Sequence, residues 1–334
     1  MENLEINSFY KNKRILLTGH SGFKGSWLHL ILQRMGAKVY GISLPPESEG
    51  TLFHYSSKAS SIQGTFEDIR NAAVVKKIVH EFQPEIVFHL AAQPLVRRSY
   101  KNPIENYEIN IMGSLYILES LRECPSLLSA VIITTDKCYE NLEWPWPYRE
   151  NDHLGGHDPY AASKACVEIL TQSYYKSFFK QKGKGLASAR AGNVIGGGDW
   201  SEDRLIPDIF RSIQNNKTLE IRNPRATRPW QHVLEPLTGY LLLGMKSSQN
   251  PEVFSQAYNF GPESSSCLDV ESLILSLQKT MTSQINYKIV PTTDLHEARL
   301  LMLDSSKSRI NLGWKSKFDI HQALQKTTEW YEAF

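Results

Sequence analysis

Tyr160 and Lys164 are four residues apart in a segment that follows Asp158 and Pro159 and has the pattern of a helix. Two residues at that spacing project from one face of a helix. A lysine charge beside a phenol lowers the pKa of the phenol, because the charge favours the phenolate. A phenolate can accept a proton from a hydroxyl group while hydride leaves the same carbon. The pair therefore suggests oxidation of an alcohol, although Tyr and Lys at this spacing also occur by chance.

Three further polar residues, Thr135, Asp136 and Lys137, follow a β-branched segment that predicts a strand over 130–134. Doubly wound α/β sheets place reactive groups at the carboxyl ends of their strands. The hydroxyl, carboxylate and ammonium groups of this run are therefore candidates to meet Tyr160. The alternative is that Thr135 and Asp136 only cap the next segment.

A glycine-rich loop lies between a predicted strand, 14–17, and a predicted helix, 27–35. Glycine lets the backbone turn tightly and approach a pyrophosphate, which the free amides and the positive dipole end of the next helix can bind. A glycine turn that serves only packing is the alternative. In this strand-to-helix context the loop predicts a dinucleotide site, formed by Gly19, Ser21, Gly22, Phe23, Lys24 and Gly25.

The adenosine end of this predicted site is less defined. The acidic residue that often ends the second strand and binds a ribose hydroxyl is missing, and the stretch 41–45 offers only Ser43. The choice between NAD and NADP therefore stays open. Asp68 and Ile69 are candidates to bind the adenine, through a carboxylate and a backbone amide, but Asp68 could equally be a helix N-cap.

Predicted strands and helices alternate along the first part of the chain. The strands are expected at 14–17, 38–43, 86–90, 130–134 and 185–190, and the helices at 27–35, 72–82, 110–122 and 160–179. This order predicts an α/β fold with a Rossmann-type doubly wound parallel sheet. After Gly192 the pattern loosens, which predicts a smaller mixed α/β substrate-binding lobe. We predict a dinucleotide-binding domain over 1–192, joined by about 229–263, and a substrate lobe over 193–228 and 264–334.

The composition favours neither nucleic acid nor an anionic membrane as a partner. Lys and Arg number 37 against 35 Asp and Glu, so an anionic ligand must be bound by local groups. The four cysteines show no metal-ligand spacing, which predicts reduced thiols, no metal site and a cytoplasmic location. No apolar run predicts a signal peptide or a membrane span.

Together, the glycine loop, Thr135 and the Tyr160/Lys164 pair resemble the extended short-chain dehydrogenases/reductases over nearly the whole chain. Within that group, five segments resemble the CDP-glucose 4,6-dehydratase family in particular. They are Thr18–Trp27, His89–Arg97, Thr135–Tyr139, Ala191–Trp200 and Arg228–Val233. This combination is far more specific than any single motif.

The resemblance implies a reaction on a nucleotide sugar, CDP-glucose. In it carbon 4 is oxidised, water leaves across carbons 5 and 6, and hydride returns to carbon 6. Tyr160 would be the base at the 4-hydroxyl, with Thr135 bonded to the same oxygen and Lys164 bonded to the nicotinamide ribose. Asp136 and Lys137 match the acid and the base of the elimination, so Asp136 must start protonated and Lys137 must start neutral.

The resemblance also implies further ligands and an assembly. NAD would contact Leu90, Ala91 and Ala92 besides the glycine loop, Asp68 and Ile69. The implied substrate-binding residues are Gln93, Arg97, Asn193, Arg204, Leu205 and Arg228, because an arginine fork fits phosphate oxygens in a bidentate way. Members pair through helices equivalent to 110–122 and 160–179, so a homodimer or homotetramer is expected. The product would feed a deoxysugar pathway for a surface polysaccharide.

Two other functions stay open at this point. A nucleotide-sugar 4-epimerase or decarboxylase needs only Thr135, Tyr160 and Lys164, with Asp136 and Lys137 as structural residues. A non-catalytic cofactor-binding scaffold would keep the fold without turnover. The presence of every expected catalytic residue argues against the scaffold.

Overall fold

The structure is a computed structural model that describes residues 2–46, 49–59, 62–290 and 298–333. Its strands are β1 Arg14–Thr18, β2 Lys38–Ser43, β3 Gly64–Phe66, β4 Ile86–His89, β5 Ser129–Ile133, β6 Gly185–Ala191, β7 Val194–Ile195, β8 Leu219–Ile221, β9 Thr227–Pro229, β10 Gln231–His232, β11 Ala257–Phe260, β12 Cys267–Asp269 and β13 Tyr287–Ile289. Its α-helices are α1 Glu2–Tyr10, α2 Phe23–Arg34, α3 Leu52–Ala59, α4 Ala72–Phe82, α5 Val96–Lys101, α6 Pro103–Tyr107, α7 Ser114–Arg122, α8 Pro159–Tyr174, α9 Leu205–Gln214, α10 Leu234–Gln249, α11 Pro251–Phe254, α12 Val270–Gln278 and α13 Ile320–Glu332. Short π-helical turns cover Glu108–Gly113, Tyr175–Phe179 and Ser308–Leu312, and short 3₁₀ turns cover Asp136–Cys138, Lys180–Lys182 and Ser264–Ser266.

The main sheet has seven parallel strands in the order β11-β6-β5-β4-β1-β2-β3. Every residue of β4, β5 and β6 is buried, and the sequences of β4 and β5 are accordingly mostly apolar. Helices α1, α2 and α10 pack on one face around one apolar core. Helices α4, α7 and α8 pack on the other face around a second core. The predicted Rossmann-type doubly wound sheet is therefore confirmed.

Several predicted elements differ from the structure, among them the predicted helix 27–35, which begins earlier, at Phe23. Helix α3 and strand β3 were not predicted. Strand β3 gives little sequence signal, because it has only three residues, two of them exposed, at the edge of the sheet. The predicted helix 110–122 begins with the π turn Glu108–Gly113, and the predicted helix 160–179 ends with the π turn Tyr175–Phe179. A single period of 3.6 residues cannot reveal such wider turns.

A smaller lobe of mixed structure covers the carboxyl edge of the main sheet. In the described residues it contains the strand pairs β10-β7, β12-β9 and β13-β8, of which only β12-β9 is antiparallel. Helices α9, α12 and α13 pack around a third apolar core that includes Phe210, Leu273, Leu324 and Tyr331. The described residues contain no helix that is long and apolar enough to cross a membrane.

Candidate active site

A cavity of about 740 Å³ opens between the sheet and the smaller lobe, at the carboxyl ends of β1, β4, β5 and β6. Loops that follow parallel strands converge at this edge, which is where open α/β sheets bind ligands. All the residues predicted to bind cofactor or substrate, or to act in catalysis, line this one cavity. They are Gly19, Ser21, Gly22, Phe23, Lys24, Gly25, Asp68, Ile69, Leu90, Ala91, Ala92, Gln93, Arg97, Thr135, Asp136, Lys137, Tyr160, Lys164, Asn193, Arg204, Leu205 and Arg228.

The glycine loop has the shape that a pyrophosphate requires. Gly19 has a φ of +75°, and a Cβ there would lie 2.8 Å from the Ala91 backbone nitrogen. A Cβ on Gly25 would lie 1.9 Å from the Gly19 carbonyl oxygen, so only glycine fits where α2 meets the loop. Gly22 precedes α2 with no side-chain cap, so the first-turn amides of the helix stay available to an anion. These features fit a dinucleotide.

The adenosine end of the cavity contains an unpaired hydroxyl. Ser43 ends β2, is 5% exposed and lines the cavity, and its Oγ has no hydrogen-bond partner among the described residues. Asp68 accepts hydrogen bonds from the Arg70 side chain at 3.0 and 2.7 Å. The N-cap of α4 is Asn71, which accepts from the Val74 amide, so the alternative of Asp68 as an N-cap is wrong.

The polar run after β5 forms a tight turn at the centre of the cavity. The Thr135 hydroxyl donates to Asp136 Oδ1 at 3.0 Å and accepts from the Lys137 amide at 3.3 Å. Thr135 therefore caps the 3₁₀ turn Asp136–Cys138, as one alternative held, but it also lies close enough to Tyr160 to lower the pKa of that phenol. Asp136 is only 2% exposed, and its Oδ2 has no partner in the described part of the chain.

Helix α8 brings Tyr160 to this turn. The helix begins at Pro159, and the Asp158 carboxylate caps it by accepting from the Ala161 amide at 2.9 Å. Burial raises the pKa of Tyr160 to about 12, while the neighbouring Thr135 hydroxyl and the charge of Arg204 oppose the rise. The pKa of Tyr160 is thus displaced opposite to the direction that the Tyr160/Lys164 spacing predicted.

Lys164 explains this difference. Its Nζ donates to the Ile133 carbonyl at 3.2 Å, so the ammonium group is turned toward β5 instead of the Tyr160 phenol. Burial lowers the pKa of Lys164 to about 8, while the negative charge of Glu168 acts to raise it. Lys164 therefore has a charge that depends on pH near the physiological range.

The substrate end of the cavity contains several arginines with different environments. Arg204 Nη1 lies 2.9 Å from Asp199 Oδ2, and Asp199 is 3% exposed. Arg97 lies 3.9 Å from Asp203, at the rim. Arg228 is buried and donates to the Thr227 carbonyl at 2.9 Å. Arg204 is thus an arginine that a buried carboxylate directs toward the cavity.

Gln93 has a different surrounding from the one its predicted role suggests. Its Nε2 donates to the Leu95 carbonyl and to Asn106 Oδ1, and its Oε1 accepts from the Leu95 amide. The side chain therefore holds the loop after β4 in shape, and it is 4% exposed.

Sequence reasoning missed two features of the site. Asp199 was not predicted as the partner of Arg204, although both lie in the loop after Gly192. Lys24 was predicted only as a cofactor ligand, but its charge is also coupled to Asp136 of the catalytic turn. Burial and the charge of Arg204 lower the pKa of Lys24 to about 8, and the charge of Asp136 opposes this change. The spacing of the glycine loop could not predict that Lys24 is also coupled to Asp136.

Comparison with known proteins adds the family of the chain. The family model described as GDP-mannose 4,6 dehydratase matches residues 16–327. A CDP-glucose 4,6-dehydratase of Salmonella typhimurium is 44% identical over 98% of this chain and 92% of its own length. A dTDP-glucose 4,6-dehydratase of Shigella flexneri is 27% identical over 96% of this chain and 93% of its own length.

Solved structures show the same fold at lower identity. A UDP-glucose-4-epimerase of Stenotrophomonas maltophila, with bound NAD and a formylated UDP-arabinopyranose, has a TM-score of 0.85 and 21% identity, and covers 96% of this chain and 98% of that one. A dTDP-glucose 4,6-dehydratase of Bacillus anthracis in complex with NAD has a TM-score of 0.80 and 22% identity, with coverage of 96% and 97%.

Proposed function

The chain belongs to the family described by the GDP-mannose 4,6 dehydratase model, and on that premise we propose that it is an NAD-dependent nucleotide-sugar 4,6-dehydratase, a hydro-lyase. Its substrate is CDP-glucose and its product is CDP-4-dehydro-6-deoxyglucose, as the name of the Salmonella relative suggests. One observation carries the assignment beyond that likeness. The acid and base needed for loss of water, Asp136 and Lys137, line the same cavity as Thr135 and Tyr160.

NAD fits the half of the cavity that the glycine loop forms. Close backbone packing at Gly19 and Gly25 sets the shape of the loop, and the amides at the start of α2 are available to bind the negative charge of the pyrophosphate. The buried hydroxyl of Ser43 is a hydrogen-bonding group for the ribose. Bound NAD supplies reversible hydride transfer, first from carbon 4 of glucose and then to carbon 6. The cofactor is therefore regenerated within each turnover.

Tyr160 is the base for the oxidation at carbon 4. Its phenol lies beside the Thr135 hydroxyl, so the two hydroxyl groups define one position for a substrate oxygen. Because burial raises the pKa of Tyr160 to about 12 in the ligand-free site, the phenolate needs added positive charge. The charge of Arg204 already opposes the rise and does not cancel it, so this charge must come in addition to Arg204.

Asp136 and Lys137 carry out the elimination. Asp136 Oδ2 is a buried oxygen without a partner among the residues that the structure describes, and it is therefore suited to hold a proton for the departing 6-hydroxyl. Lys137 removes the proton on carbon 5, which the ketone at carbon 4 has made acidic. Because Thr135 bonds Asp136 and lies beside Tyr160, the oxidation and elimination groups are close together in one site.

A homodimer is the proposed assembly. Ile169 on α8 is 59% exposed and Met112, just before α7, is 37% exposed, which leaves apolar side chains on the face that carries these helices. Leu118 on α7 is fully buried in the core and cannot serve this contact.

A panel of CDP-, dTDP-, UDP- and GDP-glucose tests the proposal. The purified chain with NAD should convert CDP-glucose to a 4-keto-6-deoxy sugar, detected by ultraviolet absorbance after alkali treatment and by mass spectrometry. Tyr160→Phe should abolish turnover but keep the circular dichroism spectrum of the native chain. Inversion of another sugar nucleotide at carbon 4, with no ketone from any substrate, would reject the dehydratase and support an epimerase.

A further inference from the structure

A network of buried polar side chains lies behind the catalytic residues. Its centre is Glu168 on α8, four residues after Lys164 and 4% exposed. The Glu168 carboxylate accepts hydrogen bonds from Thr134 Oγ1, from Ser188 Oγ at 2.6 Å and from Arg190 Nη2 at 2.8 Å. We call these four residues, together with Tyr139, the Glu168 network. It joins α8 to the ends of β5 and β6.

The network continues to the far side of the catalytic turn. Arg190 Nη1 donates to the Tyr139 hydroxyl at 2.7 Å, and that hydroxyl donates to Asn259 Oδ1 on β11 at 2.7 Å. Arg190, Tyr139 and Asn259 are exposed by 3% or less. Every hydrogen bond of this series is therefore shielded from water. Hydrogen bonds are stronger in the protein interior than in water.

The positions of the network members in the sequence define what they hold. Thr134 comes directly before Thr135, and Tyr139 follows the 3₁₀ turn Asp136–Cys138. The network thus holds the turn that carries Thr135, Asp136 and Lys137 at both ends. Glu168 fixes the same network to the helix that carries Tyr160 and Lys164. Small changes in the relative position of reacting groups cost large factors in rate.

We propose that Glu168 is a positioning residue that locks the Thr135–Lys137 turn to helix α8, so that the oxidation and elimination groups act on one hexose. This rests on the proposed dehydratase function. A role in stability alone does not require a buried ion pair, because apolar residues of similar volume stabilise a core equally well. Apolar residues would not supply the directed bonds of Glu168 to Thr134, Ser188 and Arg190.

The charge of Glu168 also acts on Lys164 and gives a separate observable. Burial lowers the pKa of Lys164 to about 8, and the negative charge of Glu168 opposes that change. The other titratable groups coupled to Lys164 are the Cys138 thiol, His89 and Lys24. None of these three belongs to the Glu168 network, although the charge of Glu168 also acts on the Cys138 thiol.

The test compares Glu168→Gln with Thr134→Val and Ser188→Ala. The first variant removes the charge and keeps the shape, and the two controls each remove one hydrogen bond while the charge remains. Competitive acetylation of Lys164 against pH, read by mass spectrometry on the ligand-free chain, gives the pH at which Lys164 loses its proton. Steady-state kinetics with CDP-glucose and NAD gives kcat and KM. Glu168→Gln should lower that pH and reduce kcat roughly 100-fold, with little change in KM. The controls should keep the pH midpoint and lose less kcat.

A Glu168→Gln chain with the kcat and the Lys164 midpoint of the original protein would overturn the proposal. So would a loss of kcat that both controls reproduce in full, because that would indicate packing alone. If Glu168→Gln does not fold, Tyr139→Phe decides, since it removes one hydroxyl and keeps the ring stacked on Tyr148. A folded Tyr139→Phe chain should lose kcat, and full activity would overturn the proposal. If the unaltered chain does not turn over CDP-glucose, the proposed function fails, while the acetylation midpoint still tests the action of Glu168 on Lys164.

Discussion

Asp136 accepts a hydrogen bond from Thr135 through Oδ1 at 3.0 Å, while its Oδ2 is buried in the cavity wall without a partner among the described residues. A buried acceptor that makes no hydrogen bond is costly, so this oxygen is suited to bind a proton or a substrate hydroxyl. The two oxygens of the Asp136 carboxylate therefore have different surroundings. One oxygen fixes the side chain, and the other is available for chemistry.

Asp136→Asn should uncouple oxidation from elimination. The amide keeps the shape and can still bond Thr135, but it cannot deliver a proton to the departing 6-hydroxyl. Ketone product should therefore form about 10² to 10⁴ times more slowly, while oxidation at carbon 4 continues. A single turnover followed by the absorbance of reduced nicotinamide should show a signal that rises and persists. Glu140→Gln is the control, because Glu140 is exposed next to the same turn and should keep normal turnover. Normal ketone formation in the Asn variant would mean that another group is the acid.

Lys137→Met and Lys137→Arg should separate the charge of this residue from its action as a base. Methionine lacks the charge, whereas arginine keeps it but cannot give up a proton in a protein. Both variants should stop elimination, and substrate recovered from D₂O should contain no deuterium at carbon 5. Mass spectrometry measures that exchange. Deuterium at carbon 5 in the arginine variant at the normal rate would exclude Lys137 as the base.

Gly25→Ala should abolish dinucleotide binding by displacing the loop. A Cβ at position 25 would lie 1.9 Å from the Gly19 carbonyl oxygen, which is backbone and cannot move aside cheaply. Gly22→Ala is the matched control, because its Cβ would lie 3.4 Å from the same oxygen, at the limit of ordinary contact. Titration calorimetry should find NAD binding at least about 100-fold weaker for Gly25→Ala than for Gly22→Ala. Equal affinities would mean that NAD does not bind at this loop.

Much of the fold could be predicted because the central strands are buried on both faces. The apolar runs at β1, β2 and β4 are nearly continuous, as parallel strands covered by helices must be, and this pattern is local to the sequence. Strand β3 was not predicted, because an edge strand of three residues with alternating exposure has no comparable apolar run. The edge of the sheet therefore depends on tertiary contacts more than its centre does.

The candidate site, like the fold, could be predicted from the sequence only in part. Motif spacing placed Tyr160 and Lys164 on one helix face, but it could not show where the lysine ammonium points. That direction depends on how α8 packs against β5, and there Lys164 donates to the Ile133 carbonyl. The pairing of Arg204 with Asp199 likewise depends on the path of the loop after β7. Sequence patterns identify which residues meet, whereas side-chain direction follows from packing.

Binding of NAD should weaken as pH rises through about 8. Burial lowers the pKa of both Lys164 and Lys24 to about 8, so each ammonium is fully charged below that pH and loses its charge above it. Both side chains line the cavity, and loss of their charge removes attraction for an anionic dinucleotide. Fluorescence titration with NAD from pH 6.5 to 9.5 should show affinity falling on the alkaline side. Lys24→Met should flatten part of this dependence, and affinity that is independent of pH in the unaltered chain would contradict it.

Arg204→Lys should weaken binding of the nucleotide sugar more than it slows chemistry. The Arg204 guanidinium lies 2.9 Å from the buried Asp199 carboxylate, which aims it into the cavity, and lysine would keep the charge but lose the planar fork that binds two phosphate oxygens. Loss of one charge-assisted hydrogen bond should raise the KM for CDP-glucose about 10-fold or more.

Arg211→Lys is the matched control on α9, because Arg211 bonds the Trp200 and Ser201 carbonyls and does not line the cavity. Steady-state kinetics measures both variants side by side. The charge of Arg204 also lowers the pKa of Tyr160. Lysine keeps this positive charge, so the replacement should change kcat less than KM. A KM equal to that of the Arg211→Lys control would show that Arg204 does not contact the nucleotide sugar.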